Sequence, residues 1–449
     1  MKKITECRAC GSKTLTPAFS MKIGGRARKS SHYTDDYVLC DPSRHARACG
    51  LLQAGAHGAH ADIAPSGRHS SNREHLRAAA TEALELISGR DCAALDIGCN
   101  DGALLSYYPR WVDRYGVDPS ELVEEIGSWA WTAKAAFPSA ELDSAFGEKK
   151  FDIITAVSVL EQIDDPKAFL AAAKARLTDD GIFVLETLYS PSVLARNAVD
   201  VLQAGVAAVY SLGVLEWMVR DAGMKIVKGA LTSKEGGSIR LFVTHKENSE
   251  FDFDPWFERL ARLWDEENAL AMRAIQPYQS FERRIESVQE SFVALLKDIE
   301  KRGETAHILG ADAQTEALIG WAGGAKKIIT AVVDTAEARE QDRLGKNGPP
   351  IISETDSRAA EPDYLIAQAR YKRETLERWR ETIMLGAKMV FVTPMPHVVS
   401  AANYATEYGK SIAGGDGAAG VETLRSILAA AGGPRLVAEN KDNEAAKSA

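Results

Sequence analysis

Leu95-Asp96-Ile97-Gly98-Cys99-Asn100-Asp101-Gly102 is the stretch on which the fold turns. Ala93-Ala94-Leu95-Asp96-Ile97 reads as a buried strand, glycine turns the chain at 98, and Ala103-Leu104-Leu105 opens a helix signal. Glycine lets a ligand approach backbone N–H groups at a strand's carboxyl end, where open α/β sheets bind their ligands. A second strand, 114–119, carries Asp118 twenty residues after Gly98, where a carboxylate can accept from both hydroxyls of a ribose. A dinucleotide site needs G-x-G-x-x-G with a pyrophosphate on the helix N-terminus. Here Asp101 would repel a pyrophosphate, whereas an acidic loop suits the ammonium and sulfonium of S-adenosylmethionine. The cofactor residues expected are Asp96, Gly98, Asn100, Asp101, Gly102, Asp118 and Pro119, with Ala156 and Ser158 at the end of the third strand.

Working outward, further strands read at 151–157 and 181–186, and Gly236-Gly237-Ser238 leads into another at 239–244. Apolar strands alternating with helices predict a parallel sheet covered on both faces. A helical period runs over 72–88 through Leu76, Ala79, Ala80, Ala83, Leu84 and Ile87. Residues 250–302 are charged and helical, with Trp256, Phe257, Leu260, Leu263 and Trp264 in a stripe that reads as interdomain core. A second α/β unit opens at His307-Ile308-Leu309-Gly310-Ala311-Asp312-Ala313, continues through 328–334 and ends near 389–394.

Four of the six cysteines lie in the first fifty residues: Cys7, Cys10, Cys40 and Cys49. Cys7-Arg8-Ala9-Cys10 puts two thiolates on one side of a tight knuckle, as a tetrahedral zinc site needs, and Cys40 and Cys49 can complete a closed, structural set. His32 or His45 could replace one of them, while His57, His60 and His69 read as solvated loop residues and Cys92 and Cys99 as small buried ones. The 449 residues carry 54 Lys plus Arg against 63 Asp plus Glu, net −9, which excludes the basic field a nucleic-acid backbone requires. Hydrophobic and charged fractions of 45% and 26% exclude a disordered or collagenous chain. No apolar leader opens the sequence, and the apolar run 201–219, interrupted by Gln203, Gly205, Gly213 and Glu216, reads as a buried helix pair instead of a membrane span. The expectation is a cytoplasmic protein, monomeric or weakly homodimeric. It divides into a zinc-binding domain (1–70), an S-adenosylmethionine-binding domain (71–248), a helical connection (249–302), a C-terminal Rossmann-like domain (303–438) and a disordered tail (439–449).

The chain resembles the sugar C-methyltransferase family, which acts on nucleotide-linked 4-keto deoxysugars. Cys7, Cys10 and Gly11 match its Cys-x-x-Cys-Gly knuckle, and Cys49-Gly50-Leu51-Leu52-Gln53 matches the closing Cys-Gly-Leu-x-Gln. Residues 97–102 match its cofactor loop and 116–120 its G-V-D-P-S. Glu186 and Tyr189 match its E-x-x-Y, Tyr210-Ser211-Leu212 its Y-S-L, and 236–240 its G-G-S-x-R. Leu309-Gly310-Ala311, Asp334 and Pro349-Pro350-Ile351 resemble its second Rossmann-like unit, which in that family helps to hold the nucleotide-sugar. The resemblance implies a class I methyltransferase domain between a zinc domain and a substrate domain. It implies catalytic roles for Glu186, Tyr210 and Tyr189 and substrate contacts from Arg240 and Ser238, although Glu186 reads equally as a buried, hydrogen-bonded carboxylate, Tyr210 equally as core and Arg240 equally as a partner of Glu186.

The departures fall on the chemistry. Family members carry a His-Glu-His cluster between the aspartate matched by Asp200 and the Tyr-Ser-Leu; here those places hold Ala204, Gly205 and Val206. The tyrosines before the first helix are missing from 63–69, and Gln162 replaces a histidine after the third strand. Carbon methylation needs a base to form an enolate. The reading preferred from sequence is therefore transfer to a hydroxyl or amine of a nucleotide-linked sugar or related metabolite. A C-methyltransferase with a displaced base (Tyr210, Tyr189, His69 or Glu186) and a non-catalytic nucleotide-sugar-binding relative stand as alternatives.

Overall fold

The computed structural model describes residues 3–21, 36–56, 65–87, 91–202, 205–234, 237–334, 343–344 and 348–413. His32, His57, His60, Ile63, Ala64, Ala204, Gly236 and the 439–449 tail lie outside the described residues. The N-terminal strands are β1 (Leu15–Ser20), β2 (Asp36–Cys40) and β3 (Leu52–Ala54). Next come β4 (Cys92–Ile97), β5 (Val112–Asp118), β6 (Trp131–Lys134), β7 (Phe151–Val157), β8 (Leu177–Leu188), β9 (Ala208–Val209), β10 (Met224–Thr232) and β11 (Ser238–His245). The C-terminal strands are β12 (Ala306–Leu309), β13 (Ile329–Val333), β14 (Ile351–Ile352), β15 (Tyr364–Ala367), β16 (Lys388–Phe391) and β17 (His397–Val399).

They form three sheets. The central one has the order β10-β11-β8-β7-β4-β5-β6, parallel except for β11, which runs antiparallel between β8 and β10. Every residue of β4 is buried, as expected of a strand covered on both faces. The helix Ser70–Ile87 covers one face, setting Leu76, Ala79, Ala80 and Ala83 against Ile153, Ile182 and Val184. Its alanine-rich face lets helix and sheet approach closely. On the other face Phe169, Leu170 and Met218 pack with Ile154, Phe183 and Leu185. The C-terminal sheet, β14-β13-β12-β15-β16-β17, is parallel except at its β17 edge.

Three expectations are corrected. The N-terminal sheet is not made from the first seventy residues alone: β9 pairs with β3 through Leu52–Val209 and Gln53–Ala208, so a distant segment completes it. For the same reason 201–219 is no helix pair, but a short strand followed by the helix Leu212–Asp221. The stripe read as interdomain core packs instead on the central unit through Leu260, Leu263 and Trp264. The spine that joins all three sheets is the next helix, Gln276–Lys301, which buries Tyr278, Phe281, Ile285, Val288, Phe292, Leu296 and Ile299 at helical spacing. These side chains share one apolar cluster with Phe19 and Tyr37, with Leu194 and Val199, and with Ile308 and Val390. No described helix is long and apolar enough to cross a membrane.

Both larger sheets have a switch point, where the first strand lies between its second and third partners: β4 between β5 and β7, β12 between β13 and β15. Residues beyond the carboxyl ends of the two sheets meet. Asn197, which follows β8, donates to the Pro394 carbonyl beyond β16 at 3.0 Å, and residues 69–71 contact Tyr371 and Glu374 beyond β15. The ligand-binding edges of the two units therefore face one another.

Candidate active site

The crevice beside β4 is shaped by glycines that no other residue fits. Gly98 has φ +74°, and a Cβ there would stand 2.5 Å from Val159 Cγ2; at Gly102, φ +76°, it would stand 2.9 Å from Ile126 Cγ1. Asp118 is buried at the end of β5, its two oxygens accepting the N–H groups of Asn100 (3.0 Å) and Ser120 (2.8 Å). Pro119 beside it is exposed, Ala156 is wholly buried at the end of β7, and the Ser158 hydroxyl is buried with no partner among the described residues. Asn100 Oδ1 accepts from Ser66 N–H and Asp101 Oδ2 from Gly67 N–H, each at 2.8 Å, so residues 66–67 lie over the loop.

The crevice is rich in negative charge. Burial pushes Asp96 up to about 7, partly offset by the Thr155 hydroxyl at 2.6 Å, and Asp118 and Asp101 add to the push. Three carboxylates around a glycine turn, with an orphaned hydroxyl at its rim, fit a cationic nucleoside such as S-adenosylmethionine and do not fit a pyrophosphate. The loop thus places together the cofactor residues expected from sequence.

The four cysteines also meet. The sulfurs of Cys7, Cys10, Cys40 and Cys49 all lie within 4.8 Å of one another, with Cys7–Cys49 at 3.6 Å and Cys10–Cys40 at 3.5 Å. Sulfurs bound tetrahedrally at the usual zinc–sulfur length have edges of about 3.8 Å. With four thiols assembled no histidine is needed, and His45 Nδ1 instead accepts from Arg47 N–H. Arg8, inside the first knuckle, donates to the carbonyls of Ala54 and Ala56 and pairs with Asp164, tying the cluster to the central unit.

The residues expected to do chemistry are all buried. Glu186 is wholly buried between sheet and helix, taking Arg240 Nε at 2.6 Å on one oxygen and His75 Nε2 (2.7 Å) and Thr232 Oγ1 (2.8 Å) on the other. Burial opposes its charge, but Arg240 and His75 outweigh it and hold the carboxyl well below the usual carboxylate range. A carboxylate so stabilised is a poor proton acceptor. Arg240 is 2% exposed and is engaged by Glu186, by Glu82 at 2.9 Å and by His75, whose Nε2 lies 3.0 Å from its Nη2. Ser238 is buried and donates to the Lys234 carbonyl. Tyr189 is buried, its pKa raised by burial and by neighbouring Glu267, whose carboxylate accepts the N–H groups of Leu212 and Gly213. Tyr210 is buried too, donating to the Leu160 carbonyl at 3.3 Å, and burial with Glu161 raises it. Neither tyrosine has a surface to offer a substrate. Gln162 holds the Ser158 carbonyl at 2.9 Å, and Gly205 and Val206 are half-buried.

One group was missed. His75 lies on the buried face of the helix Ser70–Ile87, beside Leu76 and Ala79. Its Nε2 is the nitrogen bound to Glu186, and its Nδ1 has no partner among the described residues. An ionised Glu186 cannot donate, so the proton in that contact sits on Nε2, which Arg240 Nη2 also approaches at 3.0 Å. The signal available in sequence was the helical period itself, which turns His75 inward, where a histidine needs a partner.

Comparison with known proteins agrees with this geometry. Residues 70–228 match the family described as "Methyltransferase domain" and residues 233–396 the "C-methyltransferase C-terminal domain". C-methyltransferase NovU from Streptomyces niveus is 24% identical over 428 residues, spanning 89% of this chain and 98% of that protein. A ubiquinone biosynthesis O-methyltransferase from Rhodopseudomonas palustris (strain TIE-1) is 30% identical over 173 residues, 37% of this chain and 63% of its own length. Among solved structures, an S-adenosylmethionine-dependent methyltransferase from Clostridium acetobutylicum ATCC 824 aligns with 40% of this chain and 93% of its own at 13% identity, TM-score 0.31. With its acidic glycine turn, its strand order and a homologue along most of its length, this chain is a class I S-adenosylmethionine-dependent methyltransferase, consistent with the sugar C-methyltransferase family.

Proposed function

We propose that the protein methylates a nucleotide-linked keto sugar, held between the facing carboxyl ends of the two larger sheets, at the carbon beside the ketone. The observation that carries this reading is the imidazole of His75, its Nε2 fixed by Glu186 at 2.7 Å and Arg240 at 3.0 Å, with no partner on the other nitrogen among the described residues. The preference for oxygen or nitrogen drawn from sequence rested on the loss of a base at 204–206. A carboxylate-held imidazole is such a base, displaced onto the first helix. S-adenosylmethionine supplies the electrophilic methyl group. His75 Nδ1 takes the proton from the acceptor carbon; Glu186 stabilises the imidazolium, and Arg240 keeps Glu186 ionised. Asn72, one turn before His75, accepts from Lys234 and donates to the Ser66 carbonyl, which sets this turn of helix beside the segment lying on the cofactor loop. Relatives of both O- and C-methylating kinds are found, and the one that spans the chain is named for carbon. The occupant proposed for the four-cysteine cluster is a structural zinc ion.

The test is incubation with S-adenosylmethionine and a dTDP-4-keto-6-deoxysugar in heavy water. Enzyme-dependent deuterium uptake beside the ketone and gain of one methyl mass are expected, both falling ~10²–10⁴-fold in His75→Ala. Methyl transfer to oxygen or nitrogen without exchange would refute carbon as the acceptor and His75 as the base.

A further inference from the structure

Residues 65–71 are gripped from two sides. Toward the cofactor loop, Ser66 and Gly67 donate their N–H groups to Asn100 Oδ1 and Asp101 Oδ2. A Cβ added at Gly67 would stand 3.0 Å from Asp101 Oδ2, so the strap rests directly on the loop. Asn72 Nδ2 and Arg73 Nη1, both at 2.6 Å from the carbonyls of Ser66 and Gly67, fasten it to the first turn of the following helix. Toward the C-terminal unit, the His69 ring stacks on Tyr371 with centroids 4.2 Å apart and planes 16° from parallel. His69 Nδ1 lies 3.3 Å from Glu374 Oε1, and Ser71 gives its hydroxyl (2.8 Å) and N–H (3.3 Å) to Glu374 Oε2. Burial opposes the charge of Glu374, yet these contacts outweigh it and hold the carboxyl at about 2.

The loop under the strap needs such support. Asn100 sits at φ +54°, a left-handed conformation that costs a non-glycine residue free energy and persists only where its surroundings fix it. Its side chain is fixed by the strap, and its backbone N–H is one of the two that orient Asp118. We propose that Tyr371 and Glu374 are positioning residues for the cofactor site: acting through His69, Ser71 and the strap, they hold Asn100 and Asp101 in place, so that affinity for S-adenosylmethionine depends on the C-terminal unit. Linkage makes the coupling reciprocal, so the bound cofactor tightens the contact between the units in turn.

Calorimetry with S-adenosylhomocysteine on the full chain tests this. Glu374→Ala and Tyr371→Ala should each weaken binding about ten-fold, and Glu374→Gln, which can still accept from Ser71, should keep most of it. Hydrogen exchange in the helix Lys372–Arg378 should slow on addition of S-adenosylhomocysteine to the unaltered protein. Unchanged affinity in both alanine variants, or exchange in that helix indifferent to the ligand, overturns the proposal. Should an alanine variant fail to fold, Ser71→Ala removes the same contact from the central unit's side, and unchanged affinity there is equally decisive. If the unaltered protein does not bind S-adenosylhomocysteine at all, the cofactor assignment itself is what fails.

Discussion

The turn after β4 and the turn after β12 begin alike and end differently. Each follows the first strand of its sheet, at the switch point, and each glycine makes the same bond: Gly98 N–H to the Val117 carbonyl and Gly310 N–H to the Val333 carbonyl, both 2.8 Å. Each has an aspartate at the end of the neighbouring strand, Asp118 and Asp334. In the second turn, however, the loop's own aspartate is engaged inside the fold. Asp312 caps the helix Ala313–Ala322 through Thr315 N–H at 2.8 Å and takes Gln368 Nε2 at 2.9 and 3.1 Å. A Cβ at Gly310 would meet nothing closer than 3.6 Å, where one at Gly98 would collide at 2.5 Å. Topology makes both turns available to a ligand; side chains leave one acidic and tightly enclosed and close the other on itself.

The four-cysteine cluster offers the largest separation of the two units, because β9 stitches the central one to its sheet. Zinc sites contribute about 10 kcal/mol or more to small domains. Cys7→Ser, or a strong chelator, should remove bound zinc and raise hydrogen exchange around β3 and β9 while leaving β12–β16 protected. Metal analysis finding no zinc in the purified protein, or equal zinc in the variant, would dispose of that account.

Next is glycine. Gly98→Ala forces an unfavourable φ and a steric overlap together, and should weaken S-adenosylhomocysteine binding ~100-fold or more. Gly310→Ala meets only the backbone penalty, about 1–2 kcal/mol of stability, with the affinity unaltered. Equal losses of affinity by calorimetry would mean that the second turn also serves the cofactor. The aspartates repeat the comparison more mildly: Asp118→Ala should cost ~1–3 kcal/mol of cofactor binding, and Asp334→Ala none.

The smallest effect concerns Asp96, whose counterpart two places before the second glycine is Ile308. Its folded pKa, about 7, lies above the ordinary 3.8, so in that window the folded chain binds more protons than the unfolded one. Stability therefore falls as pH rises from about 4 to about 7 and is level beyond. Asp96→Asn should flatten this slope and raise the thermal midpoint at pH 8 by about 2–4 °C relative to its effect at pH 5. A midpoint with the same pH dependence in both proteins would show that Asp96 titrates normally.

What the sequence by itself determined is whatever local spacing encodes. The strand-glycine-helix run from Leu95 to Ala103, Asp118 twenty residues on and the Cys7/Cys10 knuckle are short-range patterns, and their chemistry follows from backbone geometry alone. What only the tertiary structure decided is which distant groups neutralise one another. Glu186 read equally as a base and as a buried carboxylate, because nothing local decides whether Arg240 stands opposite it across a strand pair or reveals His75 above it on a helix more than a hundred residues earlier. Tyr189 read as an acid–base group, and Tyr210 equally as one and as core, because burial is a property of packing; both are sealed in the core. His75 itself went unseen, since a histidine becomes a candidate base only when a carboxylate fixes one nitrogen and leaves the other unbonded. Reactivity here is set by partners, and partners are chosen by the fold.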